Sequence, residues 1–246
     1  MRFLLIIYAY CFLMFAIIYR LFLAFTTNIR ALLSFIHKEV DLMSYNPLIF
    51  LILVYFVSSI PFSLVISKLL HGVDVRQFGD GNPGAANAWL YGSKLAGFIG
   101  CLFDGLKGAF PVLLAKQFWP TSELWVYLTA LTAVCGHAYS IFLQFHGGKS
   151  LAVTAGVFLT LFESMSPIFW ILLVTLFPYI GVPFPEGVVI TLATAIVQTI
   201  YLYKSWLMRF TVIFISAIVI NKHKIALSEV SENGFFAKIS QVHNVV

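Results

Sequence analysis

Charge is what this sequence has least of. Only 10% of its 246 residues are Asp, Glu, Lys or Arg, against about 25% in a soluble domain. So few charges cannot cover a water-facing surface. Hydrophobic residues make up 61% and the mean hydropathy is +0.95, against about 45–50% apolar residues in soluble domains. The chain therefore reads as an integral membrane protein. Cysteine is also scarce. Cys11, Cys101 and Cys135 all lie inside apolar runs and show no metal-ligand spacing, which argues against a zinc site or a disulfide framework and leaves them as small core residues. Short period-two alternation is rare, which favours helices over an outer-membrane barrel. No H-E-x-x-H, Ser-His-Asp or Cys/His arrangement is legible, so any chemistry is expected to rest on positioning and charge stabilisation. No basic run supports nucleic acid as a partner. The net charge of +5 is the loop excess of Lys and Arg that membrane proteins carry, and it equally suits an anionic substrate or lipid headgroup.

What is present is a series of apolar runs separated by polar segments. Residues 2–25 reach the roughly 20 needed to span a bilayer. This run is longer than a signal peptide's apolar stretch and lacks a small-residue cleavage site, so it is expected to stay as an anchor. Residues 26–46 are mixed, with Arg30, His37, Lys38, Glu39 and Asp41, and suit a short amphipathic surface helix. Further apolar segments are expected at 47–70, kinked by Pro61, then at 93–116, at 122–143 with Thr121 as N-cap, and at 167–180, 187–203 and 206–220. Residues 151–162 are apolar but at about 1.5 Å per residue reach only roughly 18–20 Å, less than the roughly 30 Å hydrocarbon core. The loop before them is expected to dip into the membrane. The fold class is thus all-α and polytopic: a seven-helix core plus one extra N-terminal membrane helix. The domains are expected to be 1–46, 47–221 and a polar tail at 222–246. Helix parity puts the polar segments 71–92 and 144–150 and the tail on one face, and a slight excess of Lys and Arg there points to the cytoplasm.

Two polar loops stand out. The first, Gly147-Gly148-Lys149-Ser150, combines a tight glycine turn with a point charge suited to phosphate and a following helix whose first amides are free. A lysine that merely snorkels from a helix end is the plainer reading. The second, VRQFGDGNPGAAN at 75–87, contains G-x-G-x-x-G, but that fingerprint needs a preceding strand and a βαβ unit, and here a membrane span precedes it. A Gly/Pro turn or a ligand loop with a nest of backbone N–H groups remains, with Arg76 and Asn82 as donors. Asp80 would repel a phosphate; it could orient Arg76 or accept a substrate hydroxyl. Asp104 and Lys107 share a helix face three residues apart and form either a structural ion pair or one wall of an anion site. His137 is a satisfied core histidine or a catalytic one, and His223 could reach the same face.

The segments SIPF, VRQFGDGNPGAAN, DGLKG and GHAYSIFLQFHGGKS, in this order and spacing, resemble the bacterial acyl-phosphate glycerol-3-phosphate acyltransferases, the PlsY family. The resemblance is strong over 47–154 and weaker beyond. It implies seven membrane helices in the bacterial inner membrane with the motif loops facing the cytoplasm. It implies transfer of an acyl group from acyl phosphate to glycerol 3-phosphate, giving lysophosphatidic acid for phospholipid synthesis, with membrane lipids as surroundings and neither metal nor coenzyme A. Matched residue by residue, the family's motifs fall on Ser59, Arg76, Gly79, Gly81, Asn82, Gly84 and Asn87, then on Gly136, His137, Gly147, Gly148 and Lys149, and lastly on His223. Asp80, Ala86, Ser150 and Ala226 stand where the family usually has serine, threonine, glycine and asparagine. Lys149, His137 and Arg76 are the expected catalytic residues. Ser59, Gly79, Asp80, Gly81, Asn82, Asn87, Lys107, Gly147, Gly148, Ser150 and His223 are the expected substrate contacts. Two other readings stand beside this one: a family relative without activity that binds a phosphate or anionic lipid, and a small transporter, which would more often show a repeat of spans.

Overall fold

The computed structural model describes residues 46–230 except Glu163 and Met165. The expected N-terminal anchor and its linker up to residue 45, and the tail beyond 230, lie outside the described residues. The first helix starts at Asn46, whose side chain accepts the Leu48 N–H at 2.9 Å, with Pro47 in the first turn; both are N-terminal signals. Helices α1 (Pro47–Ser59) and α2 (Phe62–His71) are the two halves of one broken span, bent by 40°. Pro61 has no N–H to continue the ladder, so the helix stops and restarts around it. The break turns two carbonyls toward neighbours: the Ser140 hydroxyl donates to Ser59 O, and the Lys107 ammonium donates at 2.7 Å to Ile60 O, which also accepts the Phe62 N–H.

Helix α2 ends at Gly72, whose φ of 68° is left-handed. A polar loop of short turns follows, and α3 (Lys94–Phe118) begins with the Ser93 hydroxyl accepting the Ala96 N–H. Pro111 lies inside α3 and leaves the Lys107 carbonyl without its helical donor. Ser58 Oγ supplies a long replacement at 3.4 Å. Helix α4 (Glu123–Ala138) departs from expectation at both ends. Its cap is Ser122 rather than Thr121, and it stops at Ala138, so that residues up to Leu143 form a loop with a 3-10 turn. Helix α5 (Leu151–Leu161) is as short as expected, and α6 (Ser166–Leu176) closes with a 3-10 turn, Phe177–Ile180. Helix α7 (Phe184–Leu202) and helix α8 (Trp206–Val230) complete the bundle. The expected end near Ile220 was too early: α8 runs on through Asn221, Lys222 and His223, because His223 is 1% exposed and packs as part of the bundle rather than fraying into a tail.

Four of these helices are long and apolar enough to cross a membrane, the α1–α2 pair makes a fifth, and α5 and α6 are shorter apolar helices. The all-helical, multi-pass architecture is as the sequence implied. Helix α3 is the centre of the described bundle, packed against α2, α4 and α5, while α8 lies on α4 and α7. The α3–α5 contact is close because both helices bring glycine to it. A Cβ on Gly108 would strike the Val153 carbonyl, and one on Gly156 the Gly105 carbonyl. Small residues at helix contacts let backbones approach where lipid offers no hydrophobic drive. Val112, Ala115, Ala130, Val134, Val153, Val157, Val212 and Ile215 belong to the core of the described bundle. Leu48, Ile52, Leu53, Leu69, Phe98 and Trp206 face outward, as a lipid-exposed surface requires.

Candidate active site

A cavity of about 460 Å³ opens among the polar loop, α3, the α4–α5 connection and helices α5 to α8. Its two ends differ in chemistry. One end presents Asp80, Asn82, Asn87, Asp104, His137, Lys149, Ser150, Thr154 and His223. The other is walled by Phe158, Trp170, Ile171, Val174, Val188 and Leu192, with Phe162 edge-on to Trp170 behind it at 4.9 Å between ring centroids. A larger groove of about 740 Å³ runs along the outside of α7, but Val189, Ala193, Val197 and Leu202 line it and it holds no charged group. The charged and titratable side chains gather in the smaller cavity.

The loop residues are held by the loop's own bonds. Lys149 Nζ lies 2.7 Å from Asp80 Oδ2. Asp80 Oδ1 accepts the Asn82 N–H at 3.1 Å and the Asn87 side-chain amide at 2.9 Å. Asn87 also donates to Phe78 O. Gly79 (φ 58°) and Gly81 (φ 71°) flank Asp80 in left-handed conformations, which glycine adopts without the Cβ penalty. Partial burial raises the Asp80 carboxyl, but the Lys149 ammonium and the two hydrogen bonds outweigh it and leave the group below its ordinary value. Asp80 thus orients Lys149, where the sequence suggested Arg76 or a hydroxyl.

Below the loop is a buried network. Asp104 Oδ1 is 2.7 Å from Lys107 Nζ and 3.6 Å from His137 Nδ1, and Asp104 Oδ2 accepts the Ser63 hydroxyl at 2.9 Å. His137 lies in the last turn of α4, and its Nε2 faces the backbone of Gly148 so closely that a Cβ there would collide with it. His223 Nδ1 is 2.8 Å from Val219 O, so it carries the proton and donates, which leaves Nε2 of the neutral ring as an acceptor. That Nε2, Ser150 Oγ and Thr154 Oγ1 are buried and without a hydrogen-bond partner, and all three residues line the cavity. Ser150 holds φ 65° and immediately precedes α5, so the free first-turn amides of that helix lie at the cavity as well.

Several expected contacts fall elsewhere. Arg76 is exposed and forked onto Asp74 at 2.9 and 2.7 Å, outside the cavity lining. The Arg76 guanidinium, with Lys68 at 2.8 Å, holds the Asp74 carboxyl well below the usual range, and Asp74 in turn raises Arg76. Lys107 points to Ile60 O and the Phe62 ring and does not line the cavity. Ser59 is buried at the helix break, and Gly79 and Gly81 shape the loop without facing the cavity. The glycine nest is not available to a ligand. Gly147 N–H donates to Ala138 O, Gly148 N–H to His137 O, Gly81 N–H to Phe78 O, and Gly84 N–H to the Asn82 side chain. The glycines serve close packing and turns, and the cavity's free donors are side chains and the start of α5.

The family model for glycerol-3-phosphate acyltransferases matches residues 48–232. The chain belongs to the glycerol-3-phosphate acyltransferase family. A relative named glycerol-3-phosphate acyltransferase from Wolbachia pipientis of Culex pipiens is 40% identical over 134 residues, 53% of this chain and 70% of its own. One from Blochmanniella floridana is 36% identical over 185 residues, 73% of this chain and 90% of its own. Among solved structures, the integral membrane glycerol 3-phosphate acyltransferase PlsY is similar in its glycerol 3-phosphate form, with TM-score 0.68 and 29% identity over 75% of this chain and 91% of that one. Its lysophosphatidic acid form gives TM-score 0.67 and 28% identity with the same coverage. This acyltransferase chain also places residues in its cavity that the motifs did not mark: Thr154, Cys101, Phe158 and Trp170. Thr154 and Phe158 follow Ser150 at successive intervals of four on α5, so the helical period alone would have found them.

Proposed function

We propose that this protein transfers an acyl group from acyl phosphate to glycerol 3-phosphate, forming lysophosphatidic acid and inorganic phosphate, in a bacterial inner membrane with its motif loops toward the cytoplasm. The observation that carries this reading is the two-ended cavity. Its polar end offers Lys149, Asn82, Asn87 and His223 to a phosphorylated head, and its apolar end offers Phe158, Trp170 and Leu192 to an acyl chain. The relatives' names and the glycerol 3-phosphate and lysophosphatidic acid forms of the similar PlsY structure support the same acceptor and product.

The chemistry asked of the residues is modest. The acceptor hydroxyl attacks the acyl carbonyl carbon, the bond from that carbon to the phosphate oxygen breaks, and phosphate leaves with the electron pair. Because the donor is already activated, no enzymic nucleophile is required; positioning and charge stabilisation suffice. Lys149 balances phosphate charge. The first amides of α5 with the Ser150 and Thr154 hydroxyls stabilise the oxyanion that forms at the carbonyl. His137, oriented through Nδ1 by Asp104, takes the hydroxyl proton at Nε2. Arg76, expected to be catalytic, has no part in this arrangement.

A second reading, a relative without turnover, is favoured by one observation: the charge of Lys149, the catalytic cation of the first reading, is already matched by the Asp80 carboxylate. Purified protein in detergent, supplied with palmitoyl phosphate and glycerol 3-phosphate, separates the two. Release of phosphate with matching formation of lysophosphatidic acid is expected. Binding of glycerol 3-phosphate with no product would select the second reading.

A further inference from the structure

The cations expected to receive a substrate anion are each already matched with a carboxylate. Arg76 has Asp74, Lys107 has Asp104 and Lys149 has Asp80. Of the three pairs, only Asp80–Lys149 has both members on the cavity. Around the Asp80 carboxylate the two loops converge three donors: an ammonium at 2.7 Å, a side-chain amide at 2.9 Å and a backbone N–H at 3.1 Å. That is the donor set a phosphate monoester would use, one full charge with two neutral N–H groups. The two side chains are 29% and 46% exposed, so the pair meets solvent and adds little to stability. Its partners can be exchanged for those of an incoming anion. A carboxylate tethered beside them is present at a far higher local concentration than any free anion.

Taking the cavity as the acceptor site proposed above, we infer that Asp80 is an affinity-setting residue: a built-in carboxylate that competes with substrate and product phosphate for Lys149 and Asn87. A dianionic phosphate entering the site must displace that carboxylate from the ammonium or sit beside it against like-charge repulsion. Either event weakens binding of glycerol 3-phosphate and of orthophosphate alike. After transfer, the same carboxylate reclaims Lys149 as the phosphate leaves. Asp80 therefore trades affinity for release, at a position where a neutral residue would leave Lys149 uncompensated.

The test uses full-length protein in detergent and the variants Asp80→Asn and Asp80→Ser. Asparagine keeps a side-chain carbonyl for the Asn82 N–H, so the turn survives, and melting temperature checks this. Calorimetric titration with glycerol 3-phosphate and, separately, with orthophosphate is expected to show dissociation constants at least threefold lower in Asp80→Asn. The KM for glycerol 3-phosphate is expected to fall in parallel, and the gain is expected to vanish in a Lys149→Ala background. Unchanged or weaker binding in both variants would overturn the inference and make Asp80 a positioning residue for Lys149; so would no binding of either probe by any of the proteins. The outcomes also separate this inference from the proposed reaction. Tighter binding without turnover in the unmutated protein would keep the competitor and remove the acyltransferase reading. Full turnover without tighter binding would do the reverse.

Discussion

Two carboxylate–ammonium pairs in this protein have the same 2.7 Å separation and opposite surroundings. In Asp104–Lys107 each side chain is 2% exposed; in Asp80–Lys149 the lysine is 29% and the aspartate 46% exposed. The buried pair cannot trade partners with water. It is fixed by Ser63 on α2, by Ile60 O at the helix break and by His137 on α4, and so ties three segments to α3. The loop pair is wetted, screened and replaceable. Contact length therefore says nothing about role here. Desolvation separates a charge pair that holds helices together from one that can open for a ligand.

The largest effect that would break this comparison is on folding. Lys107→Met strands the buried Asp104 carboxylate, and breaking a buried pair costs about 3–5 kcal/mol. A sharp loss of folded protein and a lowered melting temperature in detergent are expected, and combining it with Asp104→Asn is expected to recover part of the loss. If Lys107→Met melted normally and lost only turnover, Lys107 would belong with the substrate contacts.

Next in size is Lys149→Ala. Its stability is expected to stay within about 1 kcal/mol of the unmutated protein, while acyl transfer per folded molecule falls more than tenfold, a cautious floor given the roughly 2.7–4 kcal/mol reported for losing one preorganised donor in the strongest cases. Phosphate release measured on equal amounts of folded protein decides it. Lys149→Arg sharpens the result, since a planar fork cannot take the place of a point charge in a tight loop. A fall in stability with normal turnover would make the loop pair structural.

A smaller effect is expected at Ser150. A non-glycine residue in the left-handed region costs roughly 1–2 kcal/mol, of which glycine's extra unfolded-state freedom returns about 0.4–1. Ser150→Gly is therefore expected to stabilise by about 0.5 kcal/mol, read from thermal unfolding, while removing one hydroxyl from the cavity. A destabilised variant would show that the hydroxyl has a structural partner.

The smallest concerns Asp74, half-buried between Lys68 and Arg76 in the loop. Its folded-state carboxyl lies below its ordinary value, so its contribution is present above the unfolded carboxylate range and is lost as pH falls through the folded one. Asp74→Asn is expected to melt slightly lower at neutral pH, with the difference starting to narrow only as pH falls below about 4. A constant difference would mean that the ion pair is not its source.

Much of the fold was legible because long apolar runs in a bilayer have one economical backbone solution, the helix. The broken span at Pro61, the short α5 and the polar loops on the cavity all follow from local residues. The end of α8 was not legible: Asn221, Lys222 and His223 read as a polar tail, yet Lys222 rests on the Tyr139 ring at 4.7 Å and His223 is buried against the bundle, partners supplied from elsewhere in the chain. The site was half legible. Lys149, His137, Asn82, Asn87 and His223 line the cavity, as their residue types suggested. Arg76 and Lys107 carry the same chemistry and do not: Arg76 forks onto Asp74 in the loop outside the cavity, and Lys107 turns to Asp104 and Ile60 O within the bundle. All three cations are paired, and only the partner of Lys149 shares the cavity with it.

The break at Ile60 and Pro61 also bears on how the chain is made. Helix α3 carries Lys107 and Asp104 into the bilayer, and a lysine or aspartate at the centre of a membrane helix costs about 2.5–3.5 kcal/mol on insertion scales. Synthesis delivers α1 and α2 before α3. When α3 emerges, the carbonyl that will receive Lys107 and the hydroxyl of Ser63 that will receive Asp104 are already at the membrane. The proline that interrupts the first span thus leaves, on a segment made before α3, an acceptor for Lys107 and a donor for Asp104.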